Sequence, residues 1–218
     1  MERFLQMSKI VLPAVPATIY MVFVSASIAL LFGIPLGIIL YITREDGLRE
    51  CRGVYRLVDG VVNFFRSLPA VIIMLLAIPL SRLIIGKAIG STAAIVPLCL
   101  AATPFVARLM EGYFLEVDEG VIEAALSMGS TTSEIIFRVL ISEAAPSIVN
   151  GITMTLINLV GLSAMAGMLG GGGLGDIAIR YGYQRFQFDM LWYSVIIIIL
   201  IVQGIQVLGT FIARKIKR

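Results

Sequence analysis

The chain has 218 residues, is 59% hydrophobic, carries a formal net charge of +3 and has a mean hydropathy of +0.98. That balance lies far outside the soluble range and excludes a separate soluble domain or a basic nucleic-acid-binding face. With no histidine, and with Cys51 and Cys99 as its only cysteines, it also excludes a disulfide framework and a metal-ligand spacing.

Hydrocarbon about 30 Å thick takes roughly 20 helical residues to cross. The first uncharged stretch, Ile10–Thr43, predicts a span over 14–41 that starts near Pro13 or Pro16. Its apolar core is too long for a cleaved leader, so a retained helix is expected. Pro35, between Gly33 and Gly37, predicts a kink. The next stretch, Ser67–Ser81, gives only about 22 Å of helix. A second span over 62–84 therefore takes in Arg66 or Arg82, whose long side chains can snorkel. Pro69 and Pro79 bracket its apolar run. Ala88–Ala107 predicts a third span over 88–109, Ala144–Gly175 a fourth over 144–167, and Met190–Ala213 a fifth over 190–212.

Five spans place the two termini on opposite sides. Arg44, Arg49, Arg52, Arg56, Arg66, Arg108, Arg138, Arg214, Lys215, Lys217 and Arg218 fall on one side; Arg3, Lys9, Arg82, Lys87, Arg180 and Arg185 fall on the other. The excess of positive charge marks the cytoplasmic side, so the N-terminus is expected outside and the C-terminus inside. The terminal basic cluster also suits anionic lipid headgroups.

The polar interval 108–143 is then cytoplasmic. Val121, Ile122, Ala124, Ala125 and Met128 recur at steps of three and four, which predicts an amphipathic helix over Val117–Met128 with a small alanine surface open to close approach. Gly129 is expected as a left-handed cap. Thr131 followed by Glu134 predicts a capping box, and Ile135, Ile136, Val139 and Leu140 line the apolar face of the next helix. The result is an elbow over 117–140. Its acids Glu111, Glu116, Asp118, Glu119, Glu123 and Glu134 outnumber Arg108 and Arg138, which suits a protein dock better than anionic lipid.

Within the spans the uncharged polar groups Asn150, Thr153, Thr155, Asn158, Ser163, Gln203 and Gln206 are the candidates for solute contact or helix–helix hydrogen bonds. Asn158 shares a helix face with Met154 and Gly161. Gly161, Ala164, Ala166 and Gly167 could form a seam between two copies, narrowed by Met165 or Met168. Candidate path residues are Met154, Asn158, Gly161, Ser163 and Met165. The run Gly170–Gly175 fits a dinucleotide fingerprint by letter only, since no strand precedes it, and a flexible outer turn is expected instead. Arg180 and Arg185 among aromatics suit an interfacial anchor or a docking surface. No nucleophile–base pair or carboxylate dyad is visible, so covalent chemistry is not expected. On the residues alone, a self-sufficient channel or a membrane scaffold stays open beside a transporter subunit.

NFFRSLP at Asn63–Pro69, ATPFVARLMEGYFLEVDEGVIEAALSMG at Ala102–Gly129, and SAMAGMLGGGGLGDIAIRYGYQRF at Ser163–Phe186 cover most of a resemblance that extends over nearly the whole chain. The chain resembles the membrane permease subunits of bacterial ATP-binding-cassette importers, and among them the methionine permeases. The shared signature is a Glu-Ala-Ala triplet with a glycine four residues on, here Glu123, Ala124, Ala125 and Gly129, and a closing Ile-x-Leu-Pro. Serine at Ser142 replaces the final proline, so a softer bend is expected, with Pro146 as a substitute. The resemblance implies an all-α integral membrane protein of the type I importer fold, a single domain over 1–218, in the bacterial cell membrane (the inner one in a Gram-negative cell).

It further implies a coupling helix, with Glu123, Ala124, Ala125, Met128 and Gly129 against an ATPase. The implied partners are a second copy, two ATP-binding-cassette subunits, an extracytoplasmic methionine-binding lipoprotein, membrane lipids, and D- or L-methionine as solute. No cofactor is expected on this chain, ATP and Mg being held by the ATPase. Another amino acid or a small peptide is the alternative solute.

Overall fold

The computed structural model describes residues 2–217, with side chains from Met7 onward; Arg218 and the Arg3 side chain, both counted in the charge balance, lie outside the described residues. The described chain is all-α. A short helix not anticipated from the hydropathy, α1 (Glu2–Val11), precedes the first span. Its Val11 is fully buried against Leu174, Ile177 and Met190, and Ser8 Oγ lies 3.0 Å from the Tyr193 hydroxyl.

The first span is α2 (Ala14–Thr43), 30 residues and about 45 Å long, enough to cross hydrocarbon with tilt. It runs on through Pro35. The flanking glycines act through packing: a Cβ at Gly33 would lie 2.5 Å from Val106 Cγ1, and one at Gly37 would lie 2.6 Å from Met110 Cβ. This small-xxx-small edge seats α2 against the third span.

The second span departs from the single rod expected over 62–84. The chain forms α3 (Arg52–Ser67), then α4 (Ala70–Leu76) at 101° to it, then α5 (Ile78–Ile85). Pro69 causes the break: it has no N–H to donate and it forces Leu68 into an extended conformation with ψ of 135°. The α3–α4 pair passes as one bent crossing, which makes five spans with the four long helices.

The third span, α6 (Ser91–Leu115), continues through Pro97 and Pro104 and runs past the expected end at 109, carrying Arg108 and Glu111 within the helix. The elbow consists of α7 (Glu119–Ser127), α8 (Thr132–Glu134), a wider π-helical segment Ile135–Leu140 and α9 (Ile141–Glu143). The fourth span is α10 (Ala145–Ala166). Pro146 stands in its first turn, where a missing N–H breaks no helical bond, while Ser142 sits inside α9. A glycine hairpin leads to α11 (Gly173–Ile177), and α12 (Phe188–Ile216) is the fifth span.

The core lies between α2, α6 and α10, with Met21, Val22, Leu98, Val106, Met110 and Leu159 among its buried side chains. It continues without a gap through Phe114 into the elbow at Ile122, Ala125, Ile135 and Leu140. In contrast, α12 packs chiefly on α10, with Gly209 against Thr153, and leaves most of its length uncovered. At one end of the bundle α1, α11 and the start of α12 pack together. At the other end Arg44, at the close of α2, lies 3.8 Å from Glu119 of the elbow.

Candidate functional site: an acidic elbow and an open helix face

Every turn of the elbow is fixed by a cap. The Asp118 carboxylate accepts from the Gly120 N–H at 2.7 Å and opens α7. Gly129, with φ of +80°, closes it: the Ser130 N–H donates to the Ala125 carbonyl at 3.1 Å and the Gly129 N–H to the Leu126 carbonyl at 2.9 Å, a Schellman motif. The capping box is present, with the Glu134 N–H donating to Thr131 Oγ1 at 3.3 Å and the Thr131 N–H donating to the Glu134 carboxylate at 2.9 Å. The Thr131 backbone N–H, and then its hydroxyl, hold the Glu134 carboxyl below the ordinary carboxylate range.

The alanine surface expected from the periodicity is split. Ile122 and Ala125 are buried, the latter at 3% exposure, and join Phe114, Ile135 and Leu140 in the core. Glu123, Ala124, Met128 and Gly129 are exposed. Val121, Leu126 and Phe137 add apolar surface to the uncovered side of the elbow, and Met128 is 79% exposed. Ala125 thus wires the elbow to the bundle, and Ala124 and Met128 present it outward.

Above the elbow lies a polar cluster that the motif reading did not assemble. The Arg108 guanidinium pairs with Asp59 of α3 and with Glu111 of its own helix, the latter at 2.6 Å, and donates to Asn63 Oδ1 at 2.9 Å. Asn63 Nδ2 in turn donates to Asp59 at 3.0 Å. Glu111 is only 4% exposed, so its charge depends on Arg108. The sequence signal was the pair of helical spacings Asp59/Asn63 and Arg108/Glu111, each placing both groups on one face.

The fourth span carries an open stripe. Met154, Asn158, Gly161 and Met165 fall three or four residues apart, and Met168 continues the series. Met154, Met165 and Met168 are exposed, Asn158 is half-buried, and a Cβ at Gly161 would meet nothing. Tyr113 Oη stands 3.7 Å from Met154 Sδ at one end of the stripe. Ser163 does not belong to it: the side chain is 2% exposed and donates to the Val160 carbonyl at 2.7 Å, on the core side of α10. Thr153 and Thr155 likewise donate to carbonyls of their own helix at 2.8 Å. Gln203 and Gln206 are exposed on α12, where Gln206 reaches Thr210.

The small-residue seam is largely occupied from within the chain. A Cβ at Gly175 would lie 2.6 Å from the Ala164 carbonyl, and one at Gly167 would lie 2.8 Å from the Gly175 carbonyl carbon. Of that set, Gly161 alone is left open. The expected flexible outer turn is a pinned hairpin. Gly170, Gly172 and Gly173 take φ values of +85°, +76° and +76°, and Gly90 N–H and Ser91 Oγ donate to the Gly170 and Gly171 carbonyls at 2.9 and 3.0 Å. Beyond it Arg180 pairs with Asp176, and the Arg185 guanidinium lies 4.7 Å from the Tyr181 ring centre. Among the described residues no group of three metal-ligating side chains converges.

Residues 33–218 match the family model described as "Binding-protein-dependent transport system inner membrane component". The chain is 47% identical over 209 residues to the probable D-methionine transport system permease protein MetI of Vibrio cholerae, covering 96% of this chain and 93% of that one. It is 41% identical over 180 residues to the methionine import system permease protein MetP of Bacillus subtilis, covering 83% and 81%. Its fold superposes with a TM-score of 0.95 on a chain of the MetNI methionine ABC transporter in inward-facing conformations, at 41% identity and covering 98% of this chain and 99% of that one. A likeness in fold alone extends to an amino acid ABC transporter crystallised with histidines, at TM-score 0.78 and 19% identity. With most of its length matched in this way, the chain belongs to the family of inner membrane components of binding-protein-dependent transport systems.

Proposed function

We propose that the chain is the membrane permease subunit of an ATP-driven importer of methionine. Likeness to methionine permeases over nearly its whole length supports the solute. The elbow supports the drive: an exposed, acidic, fully capped bend whose inner face is continuous with the core that holds the spans. Two copies would set their open α10 faces toward a shared axis, each contributing Met154, Asn158, Gly161 and Met165. A neutral face of thioethers and one amide suits a zwitterion with an apolar, sulfur-bearing side chain. Two ATPase subunits would seat the elbows, with Glu123, Ala124, Met128 and Gly129 against them and Ala125 carrying the displacement inward. ATP and Mg stay on those subunits, and this chain performs no catalysis.

Closure of the ATPases would push the elbows and open the pathway outward; hydrolysis would return it inward, an alternating-access cycle. The charge asymmetry supports an outside N-terminus and a cytoplasmic C-terminus. An extracytoplasmic binding lipoprotein would deliver D- or L-methionine to the glycine hairpin end.

The test is reconstitution in vesicles with the ATPase and the methionine-binding lipoprotein. ATP-dependent uptake of labelled methionine that unlabelled methionine suppresses, and that a panel of other amino acids and small peptides does not, is expected. Uptake dominated by another solute overturns the assignment of methionine. Solute flux without the ATPase overturns the importer reading.

A further inference from the structure

A second site lies on the flank of the bundle, where the broken second span leaves a gap. Phe32 and Leu36 of α2, Val61 and Phe65 of α3, Ile84 of α5 and Leu100 of α6 wall a groove of about 480 Å³ that is almost wholly apolar. Its α2 and α6 walls come from uncharged stretches well inside their spans, so the groove opens at hydrocarbon depth. A straight helix over 62–84 would fill this space; the turn at Pro69 prevents it.

One charge stands beside the groove. Arg66 follows Phe65 and lies one helical turn beyond Val62, which also lines the groove. Arg66 is exposed, and among the described residues no carboxylate lies within ion-pair distance of it, unlike Arg44, Arg52, Arg108 and Arg180. It lies about 10 Å further along α3 than Asp59, whose pairing with Arg108 marks the polar end of the bundle. A lone arginine at that depth demands an anionic partner or a path to the interface.

We propose that the groove holds an acyl chain of an anionic phospholipid whose phosphate pairs with Arg66. The two features require each other: hydrocarbon fills the apolar space, and the same molecule delivers a negative headgroup to the arginine. The bound lipid would complete the second span, which its own sequence leaves interrupted.

The full chain, purified with its ATPase partner into nanodiscs of phosphatidylethanolamine and phosphatidylglycerol, tests this by native mass spectrometry after mild release. The wild type is expected to retain phosphatidylglycerol preferentially. Arg66→Gln should lower that preference about fivefold, the worth of one basic residue near a lipid phosphate. Val61→Trp, at the exposed rim, should lower retention of both lipids. A readout that leaves the groove unmodified uses a Cys51→Ser chain, in which Cys99 on the groove wall should react more slowly with an apolar maleimide when phosphatidylglycerol is present. Equal retention by wild type and Arg66→Gln, or a Cys99 rate indifferent to phosphatidylglycerol, overturns the proposal. A crosslink joining two copies through Cys99 also overturns it, by placing a second copy in the groove.

Discussion

The backbone N–H of Leu174 donates to Thr18 Oγ1 at 2.8 Å, joining the glycine hairpin to the first span with both groups buried. A valine at position 18 keeps the shape and removes the acceptor. The orphaned N–H then costs about 1–3 kcal/mol. Thr18→Val should lower the thermal unfolding midpoint in detergent, and Thr18→Ser should restore it. Gly173→Ala should be at least as damaging, since its φ of +76° disfavours a side chain and a Cβ would lie 2.6 Å from Thr18 Oγ1.

The Arg108 cluster yields a sharper contrast. Removing the guanidinium strands Glu111, which is 4% exposed, and leaves Asp59 without its cation. Breaking a buried pair from one side costs about 3–5 kcal/mol, and partial exposure of Arg108 sets the expectation at the lower end. Arg108→Met should destabilise the purified chain more than the double change Arg108→Met with Glu111→Leu, which leaves no lone buried carboxylate. Equal loss in both, measured by thermal unfolding, would show that Glu111 is not held by Arg108.

How far the sequence reaches is clearest at the prolines. Hydropathy placed four spans within a few residues because an uncharged run of sufficient length has few other homes. The same measure could not place the second span, since Pro69 bends it by 101° and hydropathy carries no direction. Caps were legible at Gly129 and Thr131 because they depend on residues adjacent in sequence. Ala125 and Ser163 were misassigned for one reason: a periodic face tells which residues lie together, not which neighbour covers them. The glycine hairpin read as flexible because its restraints, Thr18 and the Gly90–Ser91 step, are distant in sequence. The Asp59–Arg108 pairing links residues 49 positions apart and awaited the packing of α3 on α6.

The elbow's capping box predicts an acid response. The Glu134 carboxyl is held below its unperturbed pKa of 4.5 by the Thr131 N–H and hydroxyl. Because the folded value is the lower one, the cap contributes fully above about 4.5 and is lost as pH falls through the folded value. Hydrogen exchange across 131–140 should therefore rise on acidification before exchange in α10 does. Thr131→Ala should raise it already at neutral pH, with a loss of about 1 kcal/mol.

The split of the alanine pair decides how coupling is to be probed. Bulk at Ala125 would invade the core beside Ile122 and Ile135, so Ala125→Trp should damage the fold and the yield, whatever the elbow does. Ala124 and Met128 point away from the bundle and can be altered with the spans left intact. Met128→Glu adds charge to a face already bearing Glu123, in a position suited to an interface centre. A residue of that kind is worth about 2 kcal/mol, or roughly 30-fold in affinity for the ATPase. Ala124→Trp should block close approach and abolish ATP-driven uptake. Both variants should insert and unfold like the wild type. Co-purification of the ATPase with each variant, read beside the unfolding midpoint, separates a lost dock from a lost fold. If Met128→Glu and Ala124→Trp retain ATPase binding and normal uptake, the elbow's outward face is not where force enters the membrane.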